Sequence, residues 1–109
     1  MQNFIDIKEF ERLDIRVGKI VKAERVPRTT KLLRLEVDIG DEVRQLVAGI
    51  ANEYSPEELI GKFIIVLANL KPKVIRGIVS QGMLLAADVN GKPVLLTTDK
   101  PVPPGSKVR

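Results

Sequence analysis

The 109-residue chain has no cysteine, no histidine and no tryptophan. Without cysteine there is no disulfide, no thiolate nucleophile and no cysteine-held zinc or iron–sulfur centre. Without histidine the commonest general base and the commonest metal ligand are both missing, so neither a metal nor a cofactor is expected. No side chain titrates at its ordinary value between about pH 5 and 8. Long apolar runs are missing as well. The longest, residues 63–68, is six residues, against roughly 20 for a spanning helix. The first eleven residues carry three acids and neither a basic start nor an apolar stretch, which is not the pattern of a signal peptide. A soluble, cytoplasmic protein with no membrane partner is expected. Aromatic residues are scarce: Phe4, Phe10, Tyr54 and Phe63. Glycine-rich phosphate loops of the GxGxxG or GxxxxGK[ST] kind are absent.

What is present is an ordinary globular composition, 44% apolar and 29% charged, enough for one domain over residues 1–109 with its own core. The 18 basic and 14 acidic residues are unevenly spread. Residues 16–34 hold seven basic side chains and one acid, and residues 71–76 hold Lys71, Lys73 and Arg76 with no acid. Residues 36–58 reverse the sign, with seven acids against Arg44. This predicts one basic face and one acidic face, and a basic face raises the local concentration of polyanions.

The patterning is mostly that of strands. Asp6 with Glu9 three residues on predicts the capping box of a short helix. Residues 14–26 read as one long strand with Ile15, Val17, Val21 and Ala23 on its apolar face, and Gly18 suggests a bulge or bend near Lys19 and Ile20. Leu33, Leu35, Val37 and Ile39 alternate with Arg34, Glu36 and Asp38, a half-buried strand. Gly40-Asp41 turns it into a partner at residues 43–50. Ser55, Pro56, Glu57 and Glu58 open a short helix that Gly61 closes. Residues 62–69 read as a buried strand, 70–79 as a basic loop and 83–89 as a strand. Asn90-Gly91 marks a type I′ turn into a returning strand at 93–97, and 107–109 as a last edge segment. The plan is all-β: an OB-fold five-stranded Greek-key barrel, with a short N-terminal helix and a short helix between strands three and four. That second helix counts against an SH3-like barrel.

Catalytic patterns are weak. Ser55 is explained as a helix cap. Ser80 lies near Lys71 and Lys73, but Ser-x-Gly before a strand is more often a turn than half of a Ser–Lys pair. Glu57 and Glu58 are adjacent and diverge. No catalytic residue is expected. The scarcity of aromatics disfavours general single-strand binding, which stacks bases on such rings. Recognition of a structured RNA by backbone charge and shape is favoured.

Six ordered blocks then carry a resemblance across nearly the whole chain. They are Asp14-Ile15-Arg16-Val17-Gly18; Lys31-Leu32-Leu33-Arg34-Leu35; Val47-Ala48-Gly49-Ile50-Ala51; Ser55-Pro56-Glu57-Glu58-Leu59-Ile60-Gly61-Lys62; Ala68-Asn69-Leu70-Lys71-Pro72; and residues 77–87, with Ser80-Gln81-Gly82-Met83 at their centre. Together they resemble the OB-fold tRNA-binding domain found at the C-terminus of many methionyl-tRNA synthetases, in the precursor of endothelial monocyte-activating polypeptide, and as small free-standing proteins. The resemblance implies tRNA binding by shape rather than sequence, no reaction of its own, a methionyl-tRNA synthetase catalytic subunit as partner, and a homodimer. It implies Arg16, Lys31 and Arg34 as phosphate contacts on the strand face and Lys71, Lys73 and Arg76 on the loop. Ser80, Gln81 and Met83 would approach ribose or base, although Gly82 as a tight bend and Met83 as core filler read equally well from the residues. Arg25 and Arg28 read as solvated, and Lys19 as snorkelling. The dimer interface implied is Phe4, Ile5, Ile7 and Phe10 with Val94, Val102 and Val108, residues that the bare sequence would also use to cap the barrel's open end. The CsaA-type peptide-binding export chaperone shares the fold and the Asp-Ile-Arg-Val-Gly and Pro-Glu-Glu-Leu-Ile-Gly blocks. The Val-Ala-Gly-Ile-Ala and Ser-x-Gly-Met blocks set this chain with the tRNA binders.

Overall fold

Strict alternation organises the barrel. On β2 (Leu33–Asp38) Leu33, Leu35 and Val37 are fully buried, while Arg34, Glu36 and Asp38 between them stay half-exposed, as a period of two requires. β2 pairs antiparallel with β3 (Val43–Ala48), from Leu33 opposite Ala48 to Asp38 opposite Val43. Its other edge is taken by β1 (Ile15–Arg25). In this computed structural model, which describes residues 3–109, β1 is long enough to serve two neighbours. Its C-terminal half pairs with β2 and its N-terminal half with β4 (Phe63–Leu67). β7 (Met83–Leu84) extends the sheet beyond β4, and β10 (Lys107–Val108) pairs with Ile15 and Arg16. The order β3-β2-β1-β4-β7 curls into the OB plan.

The core is continuous inside that curl: Ile20, Leu35, Val37, Ile39, Leu46, Ile64 and Val66, with Leu59 from α2 (Pro56–Leu59). α2 stands between β3 and β4 as expected. Ser55 N–H donates to the Glu58 carboxylate at 2.9 Å, Pro56 occupies the first turn, and Gly61 follows at positive φ. At the other end of the chain α1 (Ile7–Glu11) buries none of its residues.

Three expectations are corrected. The apolar face of β1 is not continuous: Ile15 and Val17 are buried, but so is Ile20, and Val21 is 45% exposed. Gly18 lies on the inward phase, opposite to that of Ile15 and Val17, and a Cβ on it would stand 2.4 Å from Val37 Cγ1. Ile20 then follows on that same inward phase. The break in register comes between Ile20 and Lys22, two residues after the glycine. Secondly, residues 70–79 are not a plain loop. They hold a hairpin, β5 (Lys73–Ile75) and β6 (Ile78–Ser80), turning at Arg76 and Gly77. Thirdly, the strand expected over 83–89 is interrupted at Leu85, whose N–H still donates to Ile65 O on the β4 side while its carbonyl accepts from Leu96 N–H. Its second part, β8 (Ala86–Val89), forms a separate hairpin with β9 (Lys92–Leu95) through Asn90 and Gly91, both at positive φ.

Candidate functional site

The β5–β6 hairpin is held on the barrel by side chains. The N–H groups of Gln45 and Val47 point away from β2 at the outer edge of β3. A backbone ladder does not satisfy them there: Gln81 Oε1 accepts from Gln45 N at 3.0 Å and Ser80 Oγ accepts from Val47 N at 3.0 Å. Gln81 N–H donates back to Gln45 O at 2.8 Å, and Gln45 Nε2 donates to Val79 O at 2.7 Å. Ser80, 2% exposed, also donates to Gly82 O. Arg44 reaches across to the carbonyls of Ala68 and Gln81. Ser80 and Gln81 are thus occupied in closing the barrel and protecting an edge that would otherwise stay open. Gln45 and Arg44, which sequence reading passed over, complete the seam. Their only signal is two consecutive polar residues on an edge strand, which look like any solvated pair.

Two clefts flank this hairpin. One, of about 390 Å³, is lined by Leu70, Lys71, Lys73, Ile75, Ser80, Gly82 and Met83. Lys71 and Lys73 are exposed, Met83 is half-buried against the core, and the apolar floor comes from Leu70, Ile75 and Met83. The other, of about 360 Å³, lies where the hairpin tip meets the β1–β2 connection, and is lined by Arg28, Thr29, Thr30, Lys31, Leu32 and Arg76. The structure therefore brings Lys71, Lys73, Ser80 and Met83 together, and Lys31 with Arg76. It adds Arg28, which the sequence counts in the basic run over residues 16–34 but reads as solvated.

Arg16 and Arg34 stand apart from these cations because each is already engaged. Arg16 donates to both oxygens of Asp14, at 3.0 and 2.9 Å, and to Asp41 at 3.0 Å across the β2–β3 turn. Arg34 binds Glu24 at 3.1 Å, Glu36 at 3.0 Å and Gln45 at 2.6 Å. Both side chains are 23% exposed. By contrast Arg28, Lys31, Lys71, Lys73 and Arg76 make no ion pair among the described residues.

The Arg16 hydrogen bonds hold the Asp14 carboxyl below the usual carboxylate range, helped by the charges of Arg16 and Lys107 and opposed by its partial burial. The unfolded carboxyl titrates near pH 4. Its contribution to stability is therefore complete above that value and is lost as the pH falls through the depressed folded value. With no histidine, stability is expected to be flat from about pH 5 to 8. Arg16→Ala removes the partner of a half-buried carboxylate. It is expected to cost about 1–2 kcal/mol at neutral pH and to narrow the acid limb of a urea-midpoint profile toward higher pH. An acid limb identical to wild type would show that the pair contributes nothing.

Three of the expected interface residues meet on a different surface. Ile7, Phe10 and Val108 line a cleft of about 340 Å³ with Leu13 and Lys107. Phe4, Ile5 and Ile7 are 86%, 67% and 68% exposed. Val94 lies on β9, and Val102 in the proline-rich segment before β10.

Residues 15–107 match the family model described as "Putative tRNA binding domain". Methionine–tRNA ligase of Archaeoglobus fulgidus is 56% identical over 104 residues, which is 95% of this chain and 16% of that protein. The chain thus spans about a sixth of the length of that curated relative. Among solved structures, the MetRS related protein from Pyrococcus horikoshii superposes with a TM-score of 0.94 at 44% identity, covering 99% of this chain and 100% of that one. The chaperone CsaA of Bacillus anthracis superposes at 0.89 with 33% identity, covering 98% and 100%.

Proposed function

Because this chain belongs to the tRNA-binding domain family, we propose that it binds folded tRNA through backbone charge and shape, and carries out no reaction of its own. The observation that supports this reading is the pair of clefts flanking one hairpin, lined by five cations that have no carboxylate partner among the described residues. Lys31, Lys71, Lys73, Arg76 and Arg28 take phosphates. Met83, with Leu70 and Ile75, offers an apolar floor for a ribose or base. Arg16 and Arg34 act indirectly, by fixing the sheet, and Ser80 and Gln81 by fixing the hairpin. The similarity to methionine–tRNA ligases supports a role as the tRNA-binding part of, or companion to, a methionyl-tRNA synthetase in the cytoplasm.

The test is fluorescence-anisotropy binding to folded bulk tRNA at several salt concentrations, with an unstructured RNA of equal length and an unfolded peptide as competitors. Neutralising about five phosphates predicts a slope of log K on log salt between about −3.5 and −4.5, with folded tRNA the best competitor. The peptide-binding reading rests on the apolar floor of the first cleft and on the CsaA likeness. It would replace this one if the slope were flat and peptide displaced the probe.

The exposed Phe4, Ile5 and Ile7, with Phe10 and Val108 beside them, support a homodimer to which Val94 and Val102 contribute. A species of about twice the 12.1-kDa chain mass is expected by light scattering. Ile7 is largely solvent-exposed in a single chain, so Ile7→Asp leaves the barrel intact and is expected to give the monomer. A dimer unaffected by Ile7→Asp would exclude the N-terminal segment from the contact.

A further inference from the structure

Arg28 and Arg76 share a backbone conformation that suits arginine poorly. Both lie in the left-handed region, at φ 63° and 52°, where a side chain is disfavoured and glycine or asparagine is the usual choice. Each sits at the turn position that demands it. Thr29 N–H donates to Val26 O at 3.3 Å, so residues 26–29 form a turn with Pro27 second and Arg28 third. With proline second and positive φ third, this is a type II turn, whose third residue is ordinarily glycine. Arg76-Gly77 forms the tip of the β5–β6 hairpin at φ 52° and 80°, matching the type I′ pair Asn90-Gly91 at 54° and 83° at the tip of β8–β9. The chain thus uses the favourable Asn at one hairpin tip and Arg at the other. The two unfavourably placed arginines line the same cleft, with Lys31 and the threonines 29 and 30 between them and no acid on its walls.

We infer that Arg28, Lys31 and Arg76 form a clamp for closely spaced phosphates of a folded nucleic-acid backbone, and that both arginines are kept in left-handed turns for that purpose. Backbone strain retained where it brings charge to one point is the pattern of a ligand clamp. Two guanidiniums present forked donors that match phosphate oxygens, and the ammonium adds a point charge. Three cations converging on about 360 Å³ exceed what one phosphate neutralises, so the occupant carries more than one. The inference rests on the tRNA reading above only for the source of those phosphates.

The test compares full-length wild type with Arg28→Gly, Arg76→Asn and the double variant. Both replacements suit the turn better than arginine. The Tm is therefore expected to hold or rise, by up to about 4 °C for Arg28→Gly. Affinity for folded tRNA is expected to fall about 5- to 10-fold for each, with the salt slope shallower by about one per arginine. Inorganic tripolyphosphate is the second probe. It is expected to shift the amide resonances of residues 28–31 and 76–77 in the wild type and not in the double variant. A double variant that keeps wild-type affinity and slope overturns the clamp while leaving tRNA binding in place. Variants that lose Tm together with affinity overturn it too, since the arginines would then be structural. Tripolyphosphate shifts that vanish in the double variant, with tRNA binding flat in salt, uphold the clamp and remove tRNA as its occupant.

Discussion

Gly82→Ala is expected to lower the Tm by about 15 °C. Gly82 sits at φ 122°, and a Cβ there would stand 2.8 Å from Leu67 O, which is backbone and has little room to move. The first effect costs about 1–3 kcal/mol, since that region is nearly closed to residues with a side chain. The steric overlap adds to it. Relief requires moving the segment that carries Ser80 and Gln81, whose side chains cap the N–H groups of Val47 and Gln45, and the buried Val47 donor left open costs about a further 1–3 kcal/mol. A total of about 3–5 kcal/mol is a large part of the 5–15 kcal/mol that stabilises a typical domain, and at this chain length it corresponds to the stated shift. Gly61→Ala is the control. Gly61 is also at positive φ, 87°, but nothing lies within 4 Å of its added Cβ, so the loss there is about 1 kcal/mol. Equal losses at the two positions, measured by thermal and urea unfolding, would show that closure of the barrel does not depend on Gly82.

The largest functional effect is expected from reversing both lysines of the first cleft. Lys71→Glu with Lys73→Glu is expected to weaken folded tRNA about 100-fold or more at low salt and to make the salt slope shallower by about two. Both side chains are exposed and neither is in an ion pair among the described residues, so the Tm is expected to change little. The loss is expected to be similar for different tRNAs, because phosphates carry no sequence information. Arg34→Ala separates charge at the site from charge in the scaffold. It frees Glu24 and Glu36 on the sheet face and is expected to weaken the fold more than it changes the salt slope. A loss below about 3-fold in the double lysine variant would place the tRNA elsewhere on the surface.

Several elements were legible in the residues because their causes are local. The alternation over residues 33–39 needs only one buried face. The Ser55–Glu58 box and Pro56 announce α2 through hydrogen bonds within one turn. Asn90-Gly91 specifies its turn through backbone sterics alone. With the six ordered blocks, these were enough for the OB barrel and for the concentration of positive charge in two segments. The tertiary structure decided what depends on partners far apart in sequence. Residues 70–79 carry no alternating run that marks a hairpin. Its strands exist because β3, some 35 residues earlier, lends an unpaired edge that Ser80 and Gln81 satisfy. The basic residues look alike in sequence, yet Arg16 and Arg34 meet carboxylates two residues along the chain, on β1 and in the β2–β3 turn, whereas Lys31, Lys71, Lys73 and Arg76 do not. Arg28 joins the site only because a type II turn carries it to the tip of a hairpin nearly fifty positions on. Sequence by itself determined the barrel, its short helices and the sign of its surface, all products of short-range sterics and burial period. Which charges remain free to meet a polyanion was left to the tertiary fold, since an ion pair forms only where folding places its two members within reach.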